Sequence, residues 1–233
     1  MFYLCVYRRL QDSGLSPTQK ETTMPASNEA PVLLYRNPKS GHCHRVELML
    51  SLLDVPYENV DLDMANAAHK APEFLRLSPL GQVPAIDDNG AALSDSNAII
   101  TYLAERYGDA EEWRGQTPSE KAEVQRWLSI AAGEIASGPC AARLVTLFGV
   151  SLDHEAAKAR AHRLFHMMEA HLTGRTWLVA ERPTLADIAG YSYIAHAPEG
   201  AVSLSPYPNI RRWLSGIEAL PRFVGMARSP VLA

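Results

Sequence analysis

The sequence predicts an α/β domain followed by an all-helical domain. Two observations carry this prediction. Between residues 32 and 107, short apolar runs typical of strands alternate with segments in which apolar residues recur every three or four positions. After residue 117 no strand-like alternation is found, and each apolar stripe has helical spacing. A chain of 233 residues is long enough to give both domains a core.

The first domain is predicted to contain four short strands and three helices. Apolar periodicity defines these elements, and proline or glycine marks several of their ends. The first strand, the first helix and the second strand form a βαβ unit, which favours a parallel strand pair. In chain order, the predicted elements lie at residues 32–35, 46–53, 57–62, 71–77, 83–86, 91–93 and 94–107.

The second domain is predicted to be a helical bundle. Thr184 and Asp187 have the spacing of a capping box at the start of one of its helices. Residues 1–30 are polar from Gln11 onward and are predicted to be a disordered or loosely attached extension. The apolar stripes of the bundle lie at residues 124–135, 164–172, 185–189 and 210–217. The predicted extension, first domain, linker and second domain span residues 1–30, 31–108, 109–116 and 117–233.

The composition is that of an ordinary soluble protein. Apolar residues make up 47% of the chain and charged residues 21%, and the net charge is −4. Because there is no basic surplus to neutralise phosphates, nucleic acid is not expected as a partner. Cys5, Cys43 and Cys140 lack the spacing of a zinc site, so we expect no metal and a reducing, cytoplasmic location. Neither a signal segment nor a membrane span is expected.

Two polar features near the end of the first domain predict a binding site. Asp95 and Ser96 immediately precede an apolar helical run, where they can hold an anion and an amine at a helix start. Val83 precedes Pro84 between two short strand-like segments, where it can offer a strand edge to a peptide-like ligand. Each feature alone also has a structural explanation: the Ser96 hydroxyl can cap a backbone N–H at the helix start, and Pro84 can be an edge-strand proline. Together they point to a small, charged, peptidic molecule.

Four motifs, in order along the chain, carry a family resemblance. They lie at residues 37–46, 72–84, 95–99 and 183–187. With these motifs the sequence resembles the cytosolic glutathione S-transferases, with the serine-type thiolate site of bacterial members. The resemblance implies a thioredoxin-like first domain, an all-α helical bundle as second domain, and hence the glutathione transferase fold.

The resemblance also assigns residues to glutathione, which is the expected cosubstrate. Ser96 at the helix start would bind the γ-glutamyl carboxylate, and Asp95 would lie near the amino group. Pro84 resembles the family's cis-proline, beside which Val83 would pair with the cysteinyl part of glutathione. Gln82 would bond the glutathione backbone. Two basic residues are assigned to the glycyl carboxylate, His69 and Lys70.

Ser40 is the residue that the resemblance assigns to the glutathione sulfur. A hydroxyl hydrogen bond worth about 1.5–3 kcal/mol would lower the thiol pKa by roughly one to two units from about 8.5. A capping or turn serine is the other interpretation of Ser40. Tyr35 competes for the role but is expected to be core or site wall. Cys43, whose neighbours His42 and His44 could tune a thiol, is expected to be a small buried hydrophobe.

The expected function is therefore transfer of glutathione to a small, mostly apolar electrophile by a homodimeric enzyme. The electrophile would bind between the two domains. Candidates for that pocket are Tyr107, Arg143, Leu147, Phe148, Tyr191 and His196. Two alternatives stay open: a glutathione-dependent isomerase, peroxidase or thiol reductase on the same fold, and a non-catalytic binding protein.

Overall fold

The computed structural model describes residues 30–229. The extension predicted over residues 1–30, with Cys5, lies outside the described residues except for Ala30. Within the described part, the predicted order of an α/β region and a helical region is confirmed. The domain boundaries themselves stay a prediction.

A four-stranded mixed sheet forms the centre of the first region. Its strands, in the order β2-β1-β3-β4, pair in parallel between β1 and β2 and antiparallel elsewhere. Val83 and Pro84 precede the third strand, although they were predicted to open it. Asn89 and Gly90 both have positive φ, as a type I′ hairpin turn requires. The strands are β1 (Val32–Arg36), β2 (Tyr57–Asp61), β3 (Ala85–Asp88) and β4 (Ala91–Ser94).

Three helices accompany the sheet: α1 (Gly41–Leu52), α2 (Pro72–Leu77) and α3 (Ser96–Tyr107). A single turn of 3₁₀-helix, Ala68–Lys70, precedes α2. Because β1 and β4 are both antiparallel to β3, they run in the same direction. The helices that follow them, α1 and α3, therefore begin at the same edge of the sheet, and this edge carries the candidate site.

The remaining helices form the second region. The residues predicted to be a linker contain a short helix, α4 (Ala110–Arg114). At the start of α8, Thr184 and Asp187 form the predicted capping box. The buried Asp187 also accepts hydrogen bonds from Leu178 N–H and the Trp213 indole. The further helices are α5 (Pro118–Ile130), α6 (Ala141–Phe148), α7 (His154–His171), α8 (Leu185–Ala195) and α9 (Pro208–Glu218).

The chain between α5 and α6 is a π-helix, Ala131–Cys140, where the apolar stripe predicted an α-helix. Pro139 lies within this segment, and proline cannot donate the backbone hydrogen bond of a regular α-helix. Gly138 packs so closely on α7 that an added Cβ would lie 3.1 Å from the backbone nitrogen of Ala161. This segment thus joins the two flanking helices without a break and presses against α7.

Buried apolar side chains of both regions form one contiguous core. It extends from Val32 in β1 to Ile217 in α9 and includes Trp127 and Trp213. Because the core is shared, the second region supports the loops at the edge of the sheet. In the part of the chain that the structure describes, no helix is both long and apolar enough to span a bilayer.

Candidate functional site

A cavity of about 140 Å³ lies at the edge of the sheet where α1 and α3 begin. It brings together five residues that the sequence analysis selected, in the two stretches 82–84 and 95–96. The helical region contributes Ala132. The lining residues are His42, Arg45, Ser78, Leu80, Gln82, Val83, Pro84, Ser94, Asp95, Ser96, Asn97 and Ala132.

Val83 brings backbone hydrogen-bonding groups to this cavity. The peptide bond between Val83 and Pro84 is cis, as the resemblance implied. Gln82 is held by Ser78, whose hydroxyl donates to its carbonyl at 2.8 Å and accepts from its N–H at 3.2 Å. Among the described residues, none hydrogen-bonds to the N–H or C=O of Val83. Both groups are therefore available to a ligand.

The start of α3 corrects one expectation about Ser96. Asp95, with φ of 74°, is the capping residue, and its Oδ1 accepts from the N–H groups of Asn97 and Ala98, both at 2.9 Å. The expectation that Ser96 caps the helix is wrong, because its buried hydroxyl accepts a hydrogen bond from Arg45 at 2.7 Å. The cap uses one oxygen of Asp95, which leaves Oδ2 for a ligand.

Arg45 is a site residue that sequence reasoning missed. Only 1% of it is exposed, and it donates to Ser96 Oγ at 2.7 Å, Asn97 Oδ1 at 2.8 Å and the Ala189 carbonyl of α8 at 2.7 Å. All three acceptors are neutral, and the buried Nε has no partner. Burial lowers the pKa of Arg45 to about 10, so it is still a cation at neutral pH. One sequence signal could have identified it: Arg45 is a charged residue on the helix face that also carries the apolar Leu48.

His42 also lines the cavity and was considered earlier only as a neighbour of Cys43. Its Nδ1 lies 3.4 Å from both Arg45 Nη1 and Ser96 Oγ. Its ring meets the ring of Tyr193 edge-on, with 4.8 Å between centroids. Burial, followed by the charge of Arg45, lowers the pKa of His42 to about 3. The imidazole is therefore neutral at physiological pH.

Ser40 is the capping residue of α1, in agreement with the structural interpretation of this serine. Its hydroxyl accepts from Cys43 N–H at 3.4 Å and also contacts the Tyr193 hydroxyl. Ser40 is half-buried and is not one of the residues that line the cavity. A hydroxyl that accepts the capping bond still has a proton to donate. The cap and a role toward a bound sulfur are thus compatible.

The loop before Ser40 is held from the second region by a buried ion pair. Arg143 in α6 donates to the Lys39 carbonyl and to Glu199 Oε2, both at 2.6 Å. Glu199 also accepts from His196 Nδ1 at 2.7 Å and from Ser229 N–H at 2.9 Å. This network fixes the backbone directly before the start of α1.

The two competitors of Ser40 occupy other environments. Tyr35 lies within β1, and its ring packs against Phe74. Cys43 is 1% exposed, and its sulfur accepts from Asn37 N–H at 3.4 Å. Burial raises the pKa of the Cys43 thiol to about 11, so it is neither ionised nor accessible at neutral pH.

His69 and Lys70 lie outside the lining of the cavity. The ammonium group of Lys70 donates to the carbonyls of Leu80 and Gly81, each at 3.1 Å, and so braces the loop before β3. His69 is partly buried, and its Nδ1 has no partner among the described residues. The assignment of both side chains to the glycyl carboxylate stays a prediction.

The side chains suggested for an electrophile pocket are also absent from the cavity lining. Tyr107 donates to Asp88, and Tyr191 donates to Glu218. Arg143 and His196 belong to the buried network around Glu199. Phe148 is 43% exposed at the end of α6. Ala132, which had not been selected, is the residue of the second region that lines the cavity.

Comparisons with known proteins agree with this geometry. The family model described as "Glutathione S-transferase, N-terminal domain" matches residues 30–105, and the model for the C-terminal domain matches residues 151–221. Glutathione S-transferase 3 of Zea mays is 29% identical over 205 residues, which cover 83% of this chain and 92% of that protein. The solved structure of a glutathione S-transferase from Pseudomonas fluorescens has a TM-score of 0.78 and 29% identity, covering 84% of this chain and 99% of that one.

A second kind of relative is also similar. Elongation factor 1-gamma of Equus caballus is 34% identical over 163 residues, which make up 66% of this chain. The match spans only 36% of that longer protein. The similarity therefore concerns one part of the elongation factor.

Proposed function

The chain belongs to the glutathione S-transferase family, and we propose that it is an enzyme of that family. In this proposal it binds glutathione as cosubstrate and stabilises its thiolate. The thiolate then attacks a small electrophilic, mostly apolar substrate. We also propose that the protein is a cytoplasmic homodimer. Light scattering of the purified full chain tests whether it is a dimer.

The observation that carries the proposal is the convergence of three kinds of group on one cavity. Asp95 and Ser96 lie at the start of α3, the free backbone of Val83 lies beside it, and Arg45 adds a positive charge with only neutral partners. Glutathione has a matching set of groups: an amine and a carboxylate at its γ-glutamyl end, followed by a peptide backbone. A purely structural role would not require these polar groups to line one cavity.

Arg45 explains why an anion is favoured here. Removing a cation from water is costly unless an opposite charge compensates it. The γ-glutamyl carboxylate would supply that charge close to Ser96 and Asn97, and the Asp95 carboxylate would face the amine. Val83 would pair with the cysteinyl backbone as an added strand does.

The chemistry assigned to Ser40 follows from the position of its hydroxyl at the start of α1. A bound thiolate there would accept a hydrogen bond from the hydroxyl and face the positive end of the helix dipole. A hydrogen bond of about 1.5–3 kcal/mol lowers the thiol pKa by roughly one to two units, so no general base is required. The thiol proton is released to water, and the thiolate sulfur donates an electron pair to the electrophilic carbon. The electron pair of the bond broken at that carbon departs with the leaving group in a substitution, or stays on the electrophile and is protonated in an addition. Proximity of the two substrates supplies the remaining rate gain.

The thiol reductase alternative has less support. It needs an accessible, ionisable cysteine, whereas Cys43 and Cys140 are buried and burial raises both thiol pKa values. Isomerase and peroxidase activities of the bound thiolate remain alternatives within the same site.

Among the described residues, no cluster of three or more potential metal ligands occurs.

A non-catalytic binding role is the second candidate function, and the similarity to elongation factor 1-gamma favours it. Calorimetric titration of the full chain with glutathione separates the two candidates. The enzyme proposal predicts saturable binding at millimolar concentration or below, and turnover of an activated aryl chloride that falls in Ser40→Ala. Binding without turnover of any electrophile would favour the second candidate. Absence of glutathione binding would exclude the transferase proposal.

A further inference from the structure

We propose that the Nε2–H group of His42 donates a second hydrogen bond to the glutathione sulfur, beside the one from Ser40. This inference rests on the proposed function and adds a catalytic residue to it. Sequence patterns assigned His42 no role toward the ligand.

The ring position places His42 next to Ser40 at the start of α1. Ser40 caps the helix, and His42 is its second residue. Both contact the same side chain of α8, Tyr193: Ser40 through the phenol hydroxyl and His42 through an edge-on ring contact at 4.8 Å. His42 also lines the cavity together with Val83, whose backbone would hold the cysteinyl unit. The sulfur of that unit would therefore lie near both side chains.

The neighbours of Nδ1 determine which nitrogen carries the proton. Arg45 Nη1 lies 3.4 Å from Nδ1, and a guanidinium group can only donate. Ser96 Oγ, also at 3.4 Å, already accepts from Arg45 and keeps its own proton to donate. A proton on Nδ1 would face the obligatory donor Arg45, whereas an unprotonated Nδ1 can accept from both Arg45 and Ser96, so we assign the proton of the neutral ring to Nε2. Among the described residues, Nε2 has no hydrogen-bond partner.

The charge state defines what His42 can do. Burial and the charge of Arg45 lower its pKa to about 3, while Asp95 acts in the opposite direction. The ring is thus neutral throughout the range in which the thiol ionises. With Nδ1 directed at Arg45 and Nε2 protonated, no lone pair is free to accept the thiol proton. His42 would therefore act as a hydrogen-bond donor to the thiolate and not as a general base.

Three variants of the full chain test this role. His42→Leu removes the donor, His42→Gln keeps an N–H donor at similar reach, and Ser40→Ala removes the other donor. The pKa of bound glutathione is measured from thiolate absorbance in the ultraviolet. We expect His42→Leu to raise this pKa by about one unit, a tenfold loss of thiolate below the pKa. We expect His42→Gln to stay within a few tenths of a unit of the wild type.

S-Methylglutathione is the control ligand, because it keeps every group of glutathione except the ionisable thiol. A thiolate donor predicts unchanged affinity of His42→Leu for S-methylglutathione. If His42 only supports Arg45 and Ser96, this affinity falls and the thiol pKa stays constant, which would overturn the inference. Failure of the wild type to bind either ligand would instead refute the proposed function.

A measurement on the wild type keeps the inference testable even if His42→Leu does not fold. Nitrogen NMR of the histidine rings, assigned with His42→Gln, reports the protonated nitrogen directly. We expect the Nε2–H tautomer, and a shift of this signal on binding glutathione that is much smaller with S-methylglutathione. An Nδ1–H tautomer would contradict the inference.

Discussion

Two buried arginines connect the halves of this protein, and they differ in their counter-charge. Arg45 and Arg143 are each 1% exposed, and each donates to a backbone carbonyl of the other region, Ala189 and Lys39 respectively. Arg143 pairs with Glu199 at 2.6 Å. Arg45 has only neutral hydrogen-bond acceptors among the described residues.

The difference separates a structural cation from a ligand-binding one. A buried charge that is hydrogen-bonded to an opposite charge stabilises the geometry around it, here the loop before Ser40. Arg45 has no carboxylate among its hydrogen-bond partners, although Asp95 interacts with it electrostatically, and its position at a cavity wall lets it attract an anion from outside. The same substitution should therefore mainly reduce stability at Arg143 and mainly reduce ligand affinity at Arg45.

Replacing Arg143 should have the largest effect, and the effect should be on stability. Arg143→Met leaves the Glu199 carboxylate buried without its cation, so we expect the free energy of unfolding to fall by about 3–5 kcal/mol. Urea denaturation measures this loss. In the double variant Arg143→Met with Glu199→Gln, the cost should be clearly smaller than the sum of the single costs. Additive costs would show that the two side chains are not coupled.

Replacing Arg45 should mainly weaken ligand binding. Arg45→Met removes the charge that would meet the γ-glutamyl carboxylate, so we expect roughly 30-fold weaker binding of S-methylglutathione, or about 2 kcal/mol. Its stability cost should be smaller than that of Arg143→Met, because no carboxylate loses its partner. Calorimetry provides the affinities, with Arg143→Met as the control that keeps near-normal binding. Equal effects of both substitutions on affinity would remove the distinction between them.

The Arg143 network should also make stability depend on pH. Burial acts to raise the pKa of Glu199, but hydrogen bonds from His196 and Ser229 and the charge of Arg143 outweigh it, so this pKa is lowered. Burial lowers the pKa of His196 despite its bond to Glu199. Both pKa values are thus lower in the folded chain than in the unfolded chain. As the pH falls, each group is therefore protonated in the unfolded chain before it is protonated in the folded chain. The stability that these two groups contribute is therefore complete above about pH 6.5. It decreases below that pH, first through the histidine and then, below about pH 4.3, through the glutamate.

This pH dependence can be measured by urea denaturation between pH 7 and pH 3. Each proton taken up on unfolding adds a slope of up to about 1.4 kcal/mol per pH unit. Glu199→Gln should flatten the part below about pH 4.3 and leave the part near pH 6 in place. A profile unchanged by this substitution would mean that other carboxylates determine acid stability.

The smallest predicted effect concerns Tyr193, which contacts Ser40 and Cys140 through its hydroxyl. Tyr193→Phe keeps the ring against His42 but loses the contact with Ser40. We expect the pKa of bound glutathione to rise by less than one unit, as measured from thiolate absorbance. Tyr191→Phe is the matched control on the same helix, because its hydroxyl binds Glu218. An equal shift in the control would indicate a general change in α8.

The sequence predicted the parts of this structure that depend on local patterns. The strand and helix order follows from apolar spacing, and Val83, Pro84, Asp95 and Ser96 were selected from turn and cap chemistry. The capping residue of α3 was assigned wrongly because Asp and Ser are nearly equal caps and stand side by side. Here Arg45, about fifty residues upstream, occupies the Ser96 hydroxyl and leaves the cap to Asp95.

The remaining features depend on contacts between distant segments. Sequence alone gives no sign that Arg143 reaches Lys39, since 104 positions separate them and the pair forms only when the two regions pack. The same is true of the contact between His42 Nδ1 and the Ser96 hydroxyl, since 54 positions separate the two residues. The close packing of Gly138 in the π-helix against α7 is a further contact of this kind.

The central claim is that the start of α1 stabilises the thiolate of bound glutathione. Titration of thiolate absorbance for glutathione bound to the wild type and to Ser40→Ala tests it most directly. We predict a pKa one to two units below the value of about 8.5 for a free thiol in the wild type, and a rise toward that value in Ser40→Ala. A bound thiol that titrates near 8.5 in the wild type would contradict the claim.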